Sequence, residues 1–310
     1  MVTARPSLAL IAGPTASGKS ALALALAKRK DGVVVNADSA QLYADIDIVA
    51  ARPSPDELAA APHRLYGVRD GALPCSAAEW AEMAKAEIAA VHAEEKLPIL
   101  VGGTGLYIRT LLDGIAPVPA IDPGIRETIR AAPVDENYRA LTSEDPEAAG
   151  RFNAADTTRV ARALEVVRST GKPLSYWQEH KVGGIGEKVV LAPLILLPPR
   201  DWLADRCEAR FRQMIDEGAV EEVERLVARD LNPDLPVMRA IGVRELTDHA
   251  AGLTTREDAI ARGVAATRQY AKRQYTWFRR QPPDDWPRFE TPLDAHGALD
   301  EAVALIEQAL

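Results

Sequence analysis

The sequence predicts an α/β protein, a parallel sheet covered by helices on both faces and interrupted by an inserted all-helical lobe. Three observations lead to it. Short apolar runs rich in branched residues alternate with helical stretches in the first third of the chain. A glycine-rich phosphate motif joins the first run to the first helix. The strand signal then vanishes over residues 121–188 before it returns. In order, Ser7–Ala12 is the first strand, and it runs straight into G13-P-T-A-S-G-K-S20, which fits the pattern G-x-x-x-x-G-K-[ST]. An alanine and leucine helix, A21-L-A-L-A-L-A-K-R, opens at that loop. Val33–Asn36 is a second strand and Leu65–Val68 a weaker one. The segment Ser76–His92 carries Trp80, Met83, Ala84, Ile88 and Val91 at helical spacing, and Ile99–Gly102 follows as a strand. This alternation is that of a P-loop NTPase-like core. Short amphipathic segments broken by proline and glycine fill the insertion, residues 121–188; the core comprises 1–120 and 189–310. Val189–Leu197 returns to the sheet, and a helical stripe of Leu203, Cys207, Phe211, Met214 and Ile215 continues through Val220, Val223 and Leu226.

With 310 residues, 47% of them hydrophobic, the chain can bury a large core. Cys75 and Cys207 are too few and too far apart for a disulfide framework or metal cluster, which fits a reducing cytoplasm. The N-terminus leads directly into the phosphate motif with no cleavable signal, and no apolar run reaches membrane-spanning length. A cytoplasmic monomer without membrane contact is the expectation. The net charge of −8 argues against a generic nucleic-acid coat, so any basic face must be local.

Gly13, Pro14, Thr15, Ala16, Ser17 and Gly18 form a loop whose backbone N–H groups converge on anionic oxygens at a helix N-terminus. Lys19 adds a point charge, and the Ser20 hydroxyl suits Mg²⁺. The ligand is not named by the loop. An ATPase usually ends a second strand in a metal-binding acid, yet Pro98–Val101 runs into Gly102-Gly103-Thr104-Gly105, and no N-K-x-D guanine signature occurs. Asp38, after the second strand, belongs at the sheet edge that carries the phosphate loop, where open parallel sheets bind ligands. It can accept a proton from a nucleophile facing the phosphate, or it and Ser39 can cap a following helix; both readings stand. Thr267–Arg280 reads as a helix with Arg268, Lys272, Tyr275 and Arg279 on one face, with Arg262, Arg273 and Arg280 adding to its charge. That face suits nucleic-acid phosphates, or it is a solvated helix with Tyr270, Trp277 and Phe278 in the core. Arg206 and Arg210, one turn apart, either pair with Asp205 or Glu208 or clamp an anion.

Taken together these residues resemble the tRNA dimethylallyltransferases, also called tRNA isopentenyltransferases, of the bacterial type. The likeness runs in order through G-P-T-A-S-G-K-S, N-A-D-S-A-Q-L-Y, A-R-P-S, C-S-A-A-E-W, L-V-G-G-T-G-L-Y-I, R-A-L-E-V with T-G-K-P-L-S, G-A-V-E-E-V, R-A-I-G-V-R-E and R-Q-Y-A-K-R-Q-Y-T-W-F-R. The resemblance implies that the loop holds dimethylallyl diphosphate, with Mg²⁺ at Ser20, and that the prenyl group passes to N6 of the adenine 3′ to the anticodon in tRNAs reading codons that begin with U. It gives Asp38, Thr104 and Arg206 the catalytic roles and leaves Arg210 open. Carried over by position, the tRNA contacts are Asp38, Ser39, Ala40, Gln41 and Thr104, then Arg126, Thr158, Arg159, Val160, Ala161 and Arg162 of the insertion. They continue through Arg239, Ala240, Ile241, Gly242, Val243 and Arg244, with Lys272 and Arg279 on the basic helix, and the insertion grips the anticodon arm. Two stretches depart from the family pattern: D47-I-V-A-A-R-P53 lacks a glycine and a threonine, and G242-V-R-E245 lacks an aromatic. No C-terminal zinc finger follows. A small-molecule or nucleoside kinase is the competing enzyme, and an RNA-binding protein that uses nucleotide for structure the non-catalytic alternative.

Overall fold

The structure, a computed structural model, describes residues 5–310. Strands β1 (Ser7–Ala12), β2 (Gly32–Asn36), β3 (His63–Arg64), β4 (Leu97–Gly102), β5 (Val190–Leu196) and β6 (Arg288–Phe289) form one sheet in the order β3-β2-β4-β1-β5-β6. Every pairing is parallel. Leu8 to Ala12 are all buried, as expected for a central strand with both faces covered. Two compact units are present, Met1–Leu111 with Ile185–Leu310, and Leu112–Gly184.

In the first unit, α1 (Lys19–Lys30), α2 (Pro55–Ala60), α3 (Ala77–Ala93) and α4 (Gly105–Asp113, its last two residues beyond the unit) follow the strands. The second unit contains α5 (Pro123–Ala131), α6 (Val134–Glu144), α7 (Pro146–Arg151), α8 (Thr157–Thr170) and α9 (Leu174–Gln178). The first resumes after β5 with α10 (Arg200–Asp216), α11 (Ala219–Val227), α12 (Val243–Ala250), α13 (Arg256–Arg280) and α14 (Ala298–Ala309). Leu22 and Leu26 of α1 pack with Val303 and Ile306 of α14 over Ile11, Ile99 and Leu194 of the sheet. Phe211, Ile215, Val223, Leu246, Ile260 and Val264 gather α10 to α13 into a second apolar cluster with Tyr43 and Ile46. Ser76 starts α3 with a reciprocal cap: its hydroxyl accepts from Glu79 N at 3.1 Å while the Glu79 carboxylate accepts from Ser76 N at 2.8 Å. That cap sets Trp80, fully buried, stacked on Tyr107 at 4.5 Å and donating to Asn36 O at 3.1 Å. No helix among the described residues is long and apolar enough to cross a membrane.

The structure differs from the sequence-based expectations at several points. Leu65–Val68 is not a strand; β3 ends at Arg64, because Leu65 (φ 65°) and Gly67 (φ 61°) turn into the left-handed region. The helical unit starts at Leu112, ahead of the compositional boundary at 121, since Ile115 pairs with Val182 in an antiparallel bridge. Within it, Val160 and Ala161 face a core formed with Ile129, Leu141 and Leu164, so they are not surface contacts for RNA. Thr158 and Arg159 of that stretch are exposed. The fully buried Glu165 carboxylate bonds Arg130 at 2.8 Å and lies 3.9 Å from Arg126 and 3.7 Å from Arg162. Three half-exposed guanidinium groups are thereby held on one side of the unit.

Candidate active site

The loop between β1 and α1 turns sharply. Gly18 has φ 93°, a conformation that strains any side chain, and a Cβ there would also press on Leu293 Cδ1 at 2.8 Å. Lys19 opens α1 half-buried, and its ammonium donates to Pro14 O at 2.7 Å. The Ser17 hydroxyl is buried without a partner, an arrangement that suits an anion oxygen brought into the loop. Arg210 on α10 donates to Thr15 Oγ1 at 3.1 Å, and Arg206, one turn back, donates to Ala16 O at 3.2 Å. Neither pairs with Asp205 or Glu208. Arg206 lies 3.8 Å from Asp294 and rests over the Trp202 ring, whereas Glu208 bonds Arg212 and Arg268.

Asp38 follows β2, and no helix begins there, so the capping alternative falls: the next helix starts at Pro55, capped by Ser54. Instead Asp38 Oδ1 accepts from Ala40 N at 3.0 Å in a tight turn. Asn36, fully buried, fixes that turn from behind. Its Oδ1 accepts from Asp38 N at 2.7 Å, and its Nδ2 donates to Asp38 O and Leu65 O, each at 2.9 Å. Thr104, after the glycines that end β4, accepts through its hydroxyl from Ser39 N at 3.0 Å and donates its own N–H to Ala37 O at 3.2 Å. Gln41 reaches the other way and donates to Ala50 O and Ala51 O.

The carboxylate and the two loop cations act on one another. Burial lowers the Lys19 pKa to about 8, with the Asp38 charge opposing the shift and Arg210 adding to it. Burial also lowers Arg210, again with Asp38 opposing. Burial raises the Tyr270 hydroxyl, helped by Asp38, while Thr104 hydrogen-bonds it and works the other way. An anion-binding loop and a carboxylate held in a rigid turn therefore lie within electrostatic reach of one another, and the Tyr270 hydroxyl of α13 feels the same carboxylate.

The sequence profile of the IPP transferase family matches residues 41–281. The chain belongs to that family. It is 62% identical over 304 residues to a tRNA dimethylallyltransferase of Sphingopyxis alaskensis, covering 98% of this chain and 99% of the relative. Against one from Erythrobacter litoralis it is 62% identical over 292 residues, 93% of this chain and 92% of that one. Among solved structures it resembles the tRNA isopentenylpyrophosphate transferase of Bacillus halodurans, at 32% identity, TM-score 0.71 and 98% coverage of both chains. It also resembles a eukaryotic dimethylallyltransferase acting on tRNA, at 28% identity and TM-score 0.82, covering 97% of this chain and 78% of that one.

The other residues expected at the site of this IPP transferase family member are distributed unevenly. In the stretch Arg239–Arg244, Gly242 and Val243 are buried, the latter in the α10–α13 cluster, and so cannot be RNA contacts; Arg244 is exposed and Arg239 pairs with Asp234. The departing stretch Asp47–Pro53 is held by buried Glu222, whose carboxylate accepts from the N–H groups of Asp47, Ile48 and Val49 at 2.6, 2.9 and 2.8 Å. On α13 the expected basic face divides. Tyr275 bonds Leu197 O and stacks under Arg200, and Arg268 is tied to Glu208, while Lys272, Arg273, Arg279 and Arg280 are exposed. Residue type alone did not reveal Asn36, Tyr270 or Gln274. For Gln274 a signal existed: it falls in the buried stripe of Val264, Ala271 and Phe278, an apolar position occupied by a carboxamide.

The Lys19 shift has a measurable consequence. An anion in the loop favours the charged ammonium and raises its pKa, so affinity is full below pH 8 and is lost as the pH rises through 8. Calorimetric titration with diphosphate should show weakening across that range with uptake of a proton. Constant affinity well above it would mean that Lys19 does not carry the anion's charge.

Proposed function

We propose that the protein transfers the dimethylallyl group of dimethylallyl diphosphate to N6 of the adenine 3′ to the anticodon in tRNAs reading codons that begin with U, releasing diphosphate. The observation that carries this reading is the pairing of two half-buried cations at a phosphate loop, Lys19 bonded to Pro14 O and Arg210 of α10 bonded to Thr15, with a carboxylate in a fixed turn that acts on both. The relatives' activity agrees with it. Breaking the allylic C–O bond leaves its electron pair on diphosphate, and Lys19, Arg210 and the loop amides not engaged within the protein would stabilise that charge. The N6 lone pair forms the new C–N bond, and the N6 proton passes to Asp38. One Asp38 oxygen is engaged by Ala40 N, which fixes the carboxylate plane and leaves the other to accept from the amine. Thr104 holds the neighbouring Ser39 N–H, so the acceptor side of the pocket is set before the purine arrives. To reach Asp38 the adenine leaves its stack in the loop.

The residues fit a divalent ion brought in with the substrate. Ser20 is exposed at the first turn of α1, and no group of three or more His, Cys, Asp or Glu side chains among the described residues could hold a metal unaided. Mg²⁺ held by Ser20 and diphosphate oxygens would neutralise charge on the leaving group. Ser39, Ala40, Gln41, Thr104 and the exposed Arg244 would meet the RNA from the first unit, and Thr158, Arg159, Arg162 and Arg126 from the helical unit. Lys272 and Arg279 would contact phosphates. Their joint replacement by alanine should weaken tRNA binding and lower the salt slope by about 2; an unchanged slope would make that face merely solvated.

Unmodified tRNA incubated with prenyl-labelled dimethylallyl diphosphate should give labelled N6-(dimethylallyl)adenosine on digestion, and γ-labelled ATP with nucleosides should give no phosphorylated product. Phosphate transfer in place of prenyl transfer would establish a kinase.

A further inference from the structure

Gln274 lies on α13 with 6% of its surface exposed, and its carboxamide joins two loops remote in sequence. Its Oε1 accepts from Thr15 N at 2.8 Å, in the phosphate loop. Its Nε2 donates to Gly103 O at 2.9 Å, in the turn that leads to Thr104 and so to the Asp38 stretch. The fit leaves no space, since a Cβ on Gly103 would stand 2.2 Å from Gln274 Nε2. We propose that Gln274 is a positioning residue that sets the separation between the diphosphate donor and the acceptor amine. This rests on the prenyl-transfer reading above.

The chemistry of the contact is restrictive. Thr15 N–H can only donate and Gly103 C=O can only accept, so one planar group must accept on one atom and donate on the other. A carboxamide does both; the bond to Gly103 O is buried and that from Thr15 N partly so, and leaving either unmade there is costly. Reaction between two bound substrates depends steeply on their relative placement, whereas the affinity for each depends on its own contacts. Loss of the bridge should therefore lower the transfer rate and spare both affinities. A neutral carboxylic acid reproduces the donor and acceptor pattern, but a carboxylate cannot donate and repels Gly103 O. Burial against a carbonyl also raises a glutamate pKa, which brings its protonation into an accessible range.

The test measures single-turnover prenyl transfer at saturating tRNA and dimethylallyl diphosphate for Gln274→Met and Gln274→Glu, each divided by the wild-type rate at the same pH, from about pH 5.5 to about 8.5. Gln274→Met should be about a hundredfold slower at every pH, with tRNA and diphosphate affinities retained. For Gln274→Glu the ratio should climb toward one as the pH falls, a signature that a simple packing role does not produce. A wild-type rate in the methionine variant, or a flat ratio in the glutamate variant, overturns the proposal; should the methionine variant not fold, the glutamate ratio decides alone. Absence of prenyl transfer by the wild type would instead overturn the function itself, and the proposal with it.

Discussion

Replacing Asp38 by alanine should lower the single-turnover rate of prenyl transfer by about 10²- to 10⁴-fold while tRNA affinity should stay close to that of the wild type. An exocyclic adenine amine is a weak nucleophile, and in the proposed reaction the carboxylate would both orient its N–H and take its proton. The backbone around Asp38 does not depend on that side chain alone, because Asn36 binds Asp38 N and O, and Thr104 binds Ser39 N. The turn bond lost from Ala40 N is worth only about 1 kcal/mol, so the turn should survive. Asp38→Asn, which keeps an acceptor for Ala40 N, should be nearly as slow, separating charge from shape. Both variants also remove the charge that holds Lys19 up against burial. Their diphosphate affinity should consequently begin to fall at a lower pH than in the wild type. Stopped or quenched-flow transfer assays with a parallel filter-binding measurement check these outcomes; unchanged turnover would remove Asp38 from the chemistry.

Arg210→Ala should slow transfer by about 10²- to 10³-fold, the cost of deleting one donor aimed at developing negative charge in a shielded site. Arg206→Ala should cost less. The two guanidinium groups reach adjacent carbonyl and hydroxyl groups of the loop, but their surroundings differ. Arg210 stands among Lys19, Asp38 and Cys207, and burial lowers its pKa. Arg206 is half-exposed, rests on Trp202 and is near Asp294, so solvent and a carboxylate screen its charge. Arg210→Lys should not restore the rate, since an ammonium cannot span two acceptors with a planar fork. A larger loss in Arg206→Ala than in Arg210→Ala would place the diphosphate on the outer side of α10.

Much of this arrangement was legible in the sequence because it depends on local chemistry. The phosphate loop announces itself by glycine spacing, and β1, β2, β4 and β5 by apolar runs long enough to register. Strands β3 and β6 have two residues each, too short for any periodicity, and are strands only because neighbours pair with them. The role of Asp38 was ambiguous because an aspartate after a strand serves a turn or a helix cap equally well, and only the distance to the next helix, which starts at Pro55, separates them. Arg206 and Arg210 share a helical face, so spacing puts both near the loop but cannot say which one burial reaches. On α13, Tyr275 and Arg268 lie at the margin of the buried stripe and Lys272 and Arg279 further round it, a gradation that appears only once α10 is in place. Gln274 binds partners from two distant loops, contacts that no window of sequence contains.

The most direct test is a crystal structure of the protein with an unmodified anticodon stem-loop and a non-hydrolysable thio-analogue of dimethylallyl diphosphate. The expected result has the diphosphate in the loop against Lys19 and Arg210, and a flipped adenine with N6 at about 2.6–3.2 Å from an Asp38 oxygen, the allylic carbon lying between them. A diphosphate bound elsewhere, or an adenine whose N6 lies out of hydrogen-bond reach of Asp38, would contradict it.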